Sequence, residues 1–236
     1  MIDVLKKKKS QLEKKIRARE FVFGIQDGLV STVGLLSGVA VATQNSTTIL
    51  ITGIAAGLTG GLSMATGSYL STRTEKDLFE REMLDQEELA KAEPYLAHEA
   101  LLENLVEEGL DRPSSYKVVK MMKQHQNLLL RTVQEKVLGL GSADLAQPFK
   151  AATVMYLSFL LGAAVPVLPF FFLTVKFALP LSWIFSILAL LGVGIFKGLI
   201  TKQPLFSSGL KFAAVALGSA SSGWVIGKGI EMFLAR

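Results

Sequence analysis

Five stretches of this chain, near residues 21–43, 48–71, 150–175, 178–200 and 208–233, are long and apolar enough to fill a hydrocarbon core, which takes about 20 residues of helix. Inside a bilayer every backbone N–H and C=O must find its partner within the protein, so each stretch is committed to a helix. Half of the 236 residues are hydrophobic and 19% are charged, with a mean hydropathy of +0.41, the composition of a membrane protein. The first stretch is too long for a cleaved leader and follows a hydrophilic basic arm, so it reads as a span. There is no cysteine, which excludes disulfides and thiolate metal sites.

Charge is sorted along the chain. Residues 1–19 hold eight of the 25 basic residues, Lys6 to Lys9, Lys14, Lys15, Arg17 and Arg19, against Asp3 and Glu13. Excess Lys and Arg beside a first span predicts a cytoplasmic N-terminus. In that position the arm acts on the lipid surface and on orientation rather than on nucleic acid. Alternating the spans puts residues 72–149, Lys197 and Lys202 inside, and residues 44–47 and the C-terminus outside. Lys176, in the short outer loop between the third and fourth spans, runs against the pattern.

Residues 72–148 carry 15 of the 20 acids and ten of the basic residues, a local formal charge of −5. Their pattern is helical: one helix from about Arg73 to Ala92 that stops before Pro94, and a second from about Tyr95 to Glu108 that ends at Gly109. A third begins at Pro113 and ends before Gly139. The expected fold is an all-α membrane protein of five transmembrane helices, with a three-helix cytoplasmic insertion between the second and third. The expected domains are a basic cytoplasmic arm (1–19), transmembrane helices one and two (20–71), the helical cytoplasmic domain (72–149) and transmembrane helices three to five (150–236).

Asp27 is the one charge within the first span, residues 21–43. A carboxylate that deep in an apolar segment costs several kcal/mol unless compensated, which makes it a functional-site candidate. A bound cation or a proton would compensate it; the plainer alternative is an Asp near the membrane surface that caps a helix. Glu20 and Asp27 are seven residues apart, two helical turns, and so share a face. If Glu20 lies at the cytoplasmic mouth, Asp27 lies about 10 Å deeper at 1.5 Å per residue. Met64 on the second span would add a thioether, a poor ligand for magnesium or calcium and an acceptable one for a softer transition metal; packing is its alternative role. Glycines recur four apart at Gly24 and Gly28, at Gly34 and Gly38, and at Gly53, Gly57 and Gly61, a spacing that predicts close approach of the first two spans. Pro166 and Pro169 free carbonyls and kink the third span. Lys228 and Glu231, three apart, are placed to pair with each other.

Arg19-Glu-Phe-Val-Phe-Gly24-Ile-Gln-Asp27-Gly28-Leu-Val-Ser-Thr-Val-Gly34-Leu-Leu-Ser-Gly38 and Gly60-Gly61-Leu-Ser63-Met64-Ala-Thr-Gly67-Ser-Tyr69 closely resemble the first two transmembrane helices of the vacuolar iron transporter family. The resemblance is strong from about Arg19 to Ser71, weakens through the middle and returns as hydropathy after Lys150. It implies transport of iron(II) or manganese(II) out of the cytosol in exchange for protons. It also implies a homodimer with the metal path between subunits, and no permanently bound cofactor. Asp27, Met64, Glu20 and Ser68 are the implied pathway positions for metal and proton. Ser68 stands where the family carries a glutamate.

The family's cytoplasmic helices hold metal through glutamates spaced three apart and a Met-Met-x-x-Glu element before Leu-Gly-Leu. Here Leu138-Gly139-Leu140 is kept, but the preceding positions include Val133, Gln134 and Val137. The expected glutamates fall on Gln86, Leu89, Ala97 and Ala100. A shifted site would draw on Glu80, Glu87, Glu88, Glu99, Glu103 and Glu135, with thioethers from Met121 and Met122; Glu99 and Glu103 have the i, i+4 spacing to share a face. The competing reading makes these acids, with His98 and His125, the solvated surface of a polar helical module.

Two functions follow. The first is a divalent transition-metal transporter that alternates metal and proton on Asp27. The second is a membrane scaffold that keeps the family fold without transporting and binds a partner through its helical module. No nucleophile–base set or phosphate loop is present, so an enzyme is not expected. The partners are metal ions, protons and the bilayer. The expected membrane is the plasma membrane in a prokaryote and the vacuole or another endomembrane in a eukaryote.

Overall fold

The computed structural model describes residues 2–122, 125, 128, 129, 132, 133 and 147–234, with side chains from Ala18 onward apart from those of residues 86, 87, 89–91, 94 and 234. Eight helices are defined among them: α1 (Ile2–Thr43), α2 (Ser46–Ala92), α3 (Pro94–Glu107), α4 (Arg112–Met122), α5 (Pro148–Val167), the single turn α6 (Pro169–Phe172), α7 (Val175–Thr201) and α8 (Leu205–Leu234). No strand occurs among the described residues. Five helices are long and apolar enough to cross a membrane, through Ala18–Thr43, Ser46–Asp85, Pro148–Val167, Val175–Thr201 and Leu205–Phe233. The chain divides into two compact units, Met1–Tyr69 with Phe149–Arg236, and Leu70–Pro148.

In the first unit α1 is the central helix. Leu29, Leu36 and Ala40 on α1 are fully buried. Leu36 and Ala40 cluster with Ile49 of α2, Val167, Phe170 of α6, and Val175 and Ala178 of α7. Leu29 clusters with Leu190 of α7 and with Phe212 and Ala216 of α8. Apolar burial gives little drive between helices in lipid, so close backbone approach and interhelical hydrogen bonds hold such a bundle. Both are present. Trp183 Nε1 donates to Ser37 Oγ (2.8 Å) and Ser219 Oγ to the Val30 carbonyl (2.6 Å).

The glycines do not bring the first two spans together as their spacing predicts. A Cβ on Gly24 or Gly28 would run into Ser158 Oγ or the Phe159 carbonyl of α5. One on Gly34 or Gly38 would meet Ser219 or the Gly223 carbonyl of α8. On α2, Gly57, Gly60 and Gly61 lie against Ala163, Phe159 and Tyr156 of α5, and Gly53 alone also touches Leu36 of α1. Spacing marks a small face but not its partner, and α1 uses its small faces on α5 and α8.

Three elements differ in extent from the sequence reading. The third span stops at Val167 instead of 175, because Pro169 has no N–H with which to continue the helix. Pro166 remains inside α5, and its carbonyl accepts from the buried Ser182 hydroxyl of α7 at 2.8 Å. The expected helices 48–71 and 73–92 are one continuous α2. No glycine or proline interrupts residues 68–93, and the i, i+4 pairs Arg73–Asp77, Lys76–Glu80 and Arg81–Asp85 support that stretch. The helix expected from Pro113 to Gly139 ends at Met122, and His125 is not helical although Leu128, Leu129, Thr132 and Val133 are. Gln134, Glu135 and the Leu138-Gly139-Leu140 element lie outside the described residues.

In the second unit Leu101 of α3 and Val119 of α4 form a small core with Leu129 and Val133, flanked by Leu102, Leu105 and Met122. Gly109 adopts φ +102 and the Leu110 amide reaches back to the Leu105 carbonyl at 3.0 Å, the glycine stop that ends α3. Asp111 caps α4, accepting from the Ser114 amide at 3.1 Å. Hydrogen bonds from the side chain and backbone of Ser114 hold its carboxyl below the ordinary value.

Candidate functional site

Gln44 and Asn45 alone connect α1 to α2, so the two helices run antiparallel. Gln44 takes a left-handed conformation (φ 52), and Asn45 Oδ1 accepts from the Thr48 amide at 3.0 Å, capping the start of α2. The hairpin sets the polar positions of one helix opposite those of the other.

Between them lies a cavity of about 240 Å³, walled by Asp27, Ser31, Thr32 and Leu35 of α1, by Ala56, Gly60, Ser63 and Met64 of α2, and by Phe159 of α5. Asp27, Ser31 and Leu35 are four apart and therefore stacked on one face. Small residues of α2, Ala56, Gly60 and Ser63, leave the space open; a Cβ on Gly60 would press into the Phe159 ring at 2.8 Å. Asp27 and Met64 thus line one cavity, a carboxylate and a thioether on facing helices. Ser31 Oγ donates to the Asp27 carbonyl at 2.6 Å, which leaves its oxygen lone pairs for the cavity. Thr32 is 2% exposed.

Nearer the N-terminal end of the same face, Glu20 is buried although charged, 9% exposed. Arg19 Nη2 lies 3.1 Å from Glu20 Oε1, and Ser68 Oγ of α2 donates to Glu20 Oε2 at 3.4 Å. Glu20 and Ser68 are therefore neighbours, while Asp27 and Met64 share the lining of one cavity. The Arg19 side chain is 81% exposed and so is free to swing off Glu20; an ion pair this exposed at one partner is worth at most about 1 kcal/mol.

The residues considered for a cytoplasmic metal site do not converge. Among the described residues no three of His, Asp and Glu come together. Glu80 pairs with Lys76 at 3.4 Å. Glu88, Glu99, Glu103 and Met121 are exposed, while Met122 packs against the core of its unit. The side chain of Glu87, and Glu135 altogether, lie outside the described residues. Lys228 and Glu231 pair at 2.8 Å.

Sequence reasoning missed Ser31, Thr32, Ser63 and Phe159 as cavity residues. Ser31 was reachable, one turn from Asp27 on the same face, and Ser63 adjoins Met64. Nothing in the sequence pointed to Phe159, whose place follows from the packing of α5 on Gly60.

Residues 18–228 match the sequence profile of the VIT family. Vacuolar iron transporter 1 of Eucalyptus grandis is 28% identical over 215 residues, covering 90% of this chain and 86% of that protein. Vacuolar iron transporter 1 of Oryza sativa subsp. japonica is 28% identical over 214 residues, covering 90% and 85%. An uncharacterized protein of Methanocaldococcus jannaschii is 27% identical over 203 residues, covering 86% and 84%.

Proposed function

The chain belongs to the VIT family, and from that membership together with the α1–α2 cavity we propose that it transports iron(II) or manganese(II) out of the cytosol in exchange for protons. One observation carries the reading: Asp27 and Met64 face a single cavity within the membrane unit. A carboxylate at mid-span costs about 3 kcal/mol on insertion scales, and a cation or proton bound there offsets that cost. One hard oxygen ligand beside one soft sulfur selects for the middle of the divalent series and against magnesium and calcium. A single carboxylate holds either the metal or the proton, and that competition couples the two fluxes.

Glu20 and Ser68 form the entrance. An arriving divalent ion displaces Arg19 from Glu20, then moves inward to Asp27. In this reading the N-terminus is cytoplasmic, residues 72–149 form a cytoplasmic helical domain, and two copies assemble with the path between them. The vacuolar names of several relatives support an endomembrane in a eukaryote; in a prokaryote the same topology faces the plasma membrane.

A second reading, a non-transporting scaffold that binds a partner through its helical domain, draws on the unconverged acids and on Gln86, Leu89, Ala97 and Ala100 at the family's glutamate positions. Metal content of cells expressing the protein separates the two. Wild type is expected to alter cellular iron or manganese and Asp27→Asn to abolish the change; if both leave the metals equally unchanged, transport is lost as an explanation.

A further inference from the structure

The end of the bundle where α7 meets α8 carries positive charge that no described acidic side chain of its own unit pairs with. No acidic residue occurs from residue 145 to residue 230, while Lys197, Lys202 and Lys211 cluster around the α7–α8 turn. Lys197 lies four residues before the end of α7 and Lys211 six after the start of α8, about 6 Å and 9 Å into their helices at 1.5 Å per residue. Both therefore lie within two turns of the α7–α8 connection, on helices whose other charges, Lys176, Lys228 and Glu231, stand toward the opposite end. Among the described residues none of the three makes an ion pair. The acids of the same unit with described side chains are committed elsewhere: Glu20 to Arg19 and Ser68, Asp27 to the cavity, and Glu231 to Lys228.

Their geometry is ordered. Lys197 Nζ stands 5.3 Å from the centroid of the Phe212 ring, within the range of a cation–π contact, and Phe212 follows Lys211 in the sequence. Lys202 closes α7 in a left-handed conformation (φ 55), its amide bonded to the Gly198 carbonyl. Lys211 is exposed between the outward-facing Leu210 and Val215. A lysine with that outlook in a membrane helix extends its ammonium toward the headgroups.

We propose that the α7–α8 hairpin holds an anionic phospholipid, its phosphate bound by Lys197, Lys202 and Lys211 and its acyl chains lying along Leu210 and Val215. Charge complementarity selects the occupant. Lipid phosphate is the anion available at that depth, and basic residues near an anionic leaflet are each attracted to it. The three lysines are not among the residues that line the α1–α2 cavity, and the inference holds whether or not the protein transports metal.

The test is the relative association of spin-labelled phosphatidylglycerol and phosphatidylcholine with the full-length protein in mixed vesicles. Lys6, Lys7, Lys8, Lys9, Lys14, Lys15 and Arg17 are changed to Gln in every sample to silence the arm. The protein is expected to prefer phosphatidylglycerol, and Lys197→Gln with Lys202→Gln and Lys211→Gln to lower that preference by up to about a hundredfold. The three corresponding Lys→Arg changes should retain it, as should Lys228→Gln. No preference in the parent, or an equal preference in the triple Gln protein, overturns the site. If the triple Gln protein does not fold, single Lys211→Gln decides: an unchanged preference also overturns it.

Discussion

At the scale of single residues the candidate site rests on two facing pairs, Asp27 with Met64 and Glu20 with Ser68. The second pair invites a direct test, because Ser68 already touches the Glu20 carboxylate. A glutamate there would set a second negative charge at the entrance. Each opposite charge about 4 Å away attracts with ~4 kcal/mol at an effective dielectric near 20. Ser68→Glu is therefore expected to increase metal uptake into the path, and Asp27→Asn to abolish it even in that background; weaker transport by Ser68→Glu would make Ser68 a packing position. Met64→Leu conserves volume, so a stability loss under about 1.5 kcal/mol is expected. Its effect should fall on transport of iron(II) in a flux assay, and unchanged flux would remove the thioether from the path.

At the scale of elements, α1 is held by contacts that exclude even one methyl group. A Cβ on Gly223 would collide with the Gly34 carbonyl and one on Gly28 with the Phe159 carbonyl. Gly223→Ala and Gly28→Ala are each expected to destabilise the membrane unit by about 1–3 kcal/mol, read as earlier unfolding in detergent. Gly67→Ala, with open space around it, is the control that should not. In the other unit, ionisation of Asp111 strengthens the cap of α4. Its carboxyl is held below the ordinary value in the fold, so ionisation stabilises the folded state at neutral pH. That contribution is lost as pH falls below about 4 through the folded value. Asp111→Asn keeps a capping oxygen without the charge, and is expected to flatten the acid dependence of α4, followed by amide exchange at Ser114.

At the scale of the whole molecule, orientation is open to a simple measurement because the chain has no cysteine. Asn45→Cys in the α1–α2 turn is expected to react with an impermeant maleimide from outside the cytosol. Lys117→Cys on α4 should react only after permeabilisation. The reverse pattern would invert the direction of flux proposed for the cavity.

Five spans, the all-helical class and the placement of Asp27, Glu20 and Met64 on the first two of them are written in local pattern: hydropathy over about 20 residues, and periodicity over two turns. Those signals survive without knowledge of any neighbour. The continuity of α2 was also local, set by the absence of a breaker after Gly67. What only the tertiary structure decided is pairing. Glycine spacing declared a small face on α1 and left its partner open, and the partners proved to be α5 and α8. The Ser182 bond to the Pro166 carbonyl, the Trp183 bond to Ser37 and the seat of Phe159 beneath the cavity each join residues distant in sequence. The cavity itself belongs to this second class, because an empty space is defined by what three helices fail to fill, and no one helix encodes that.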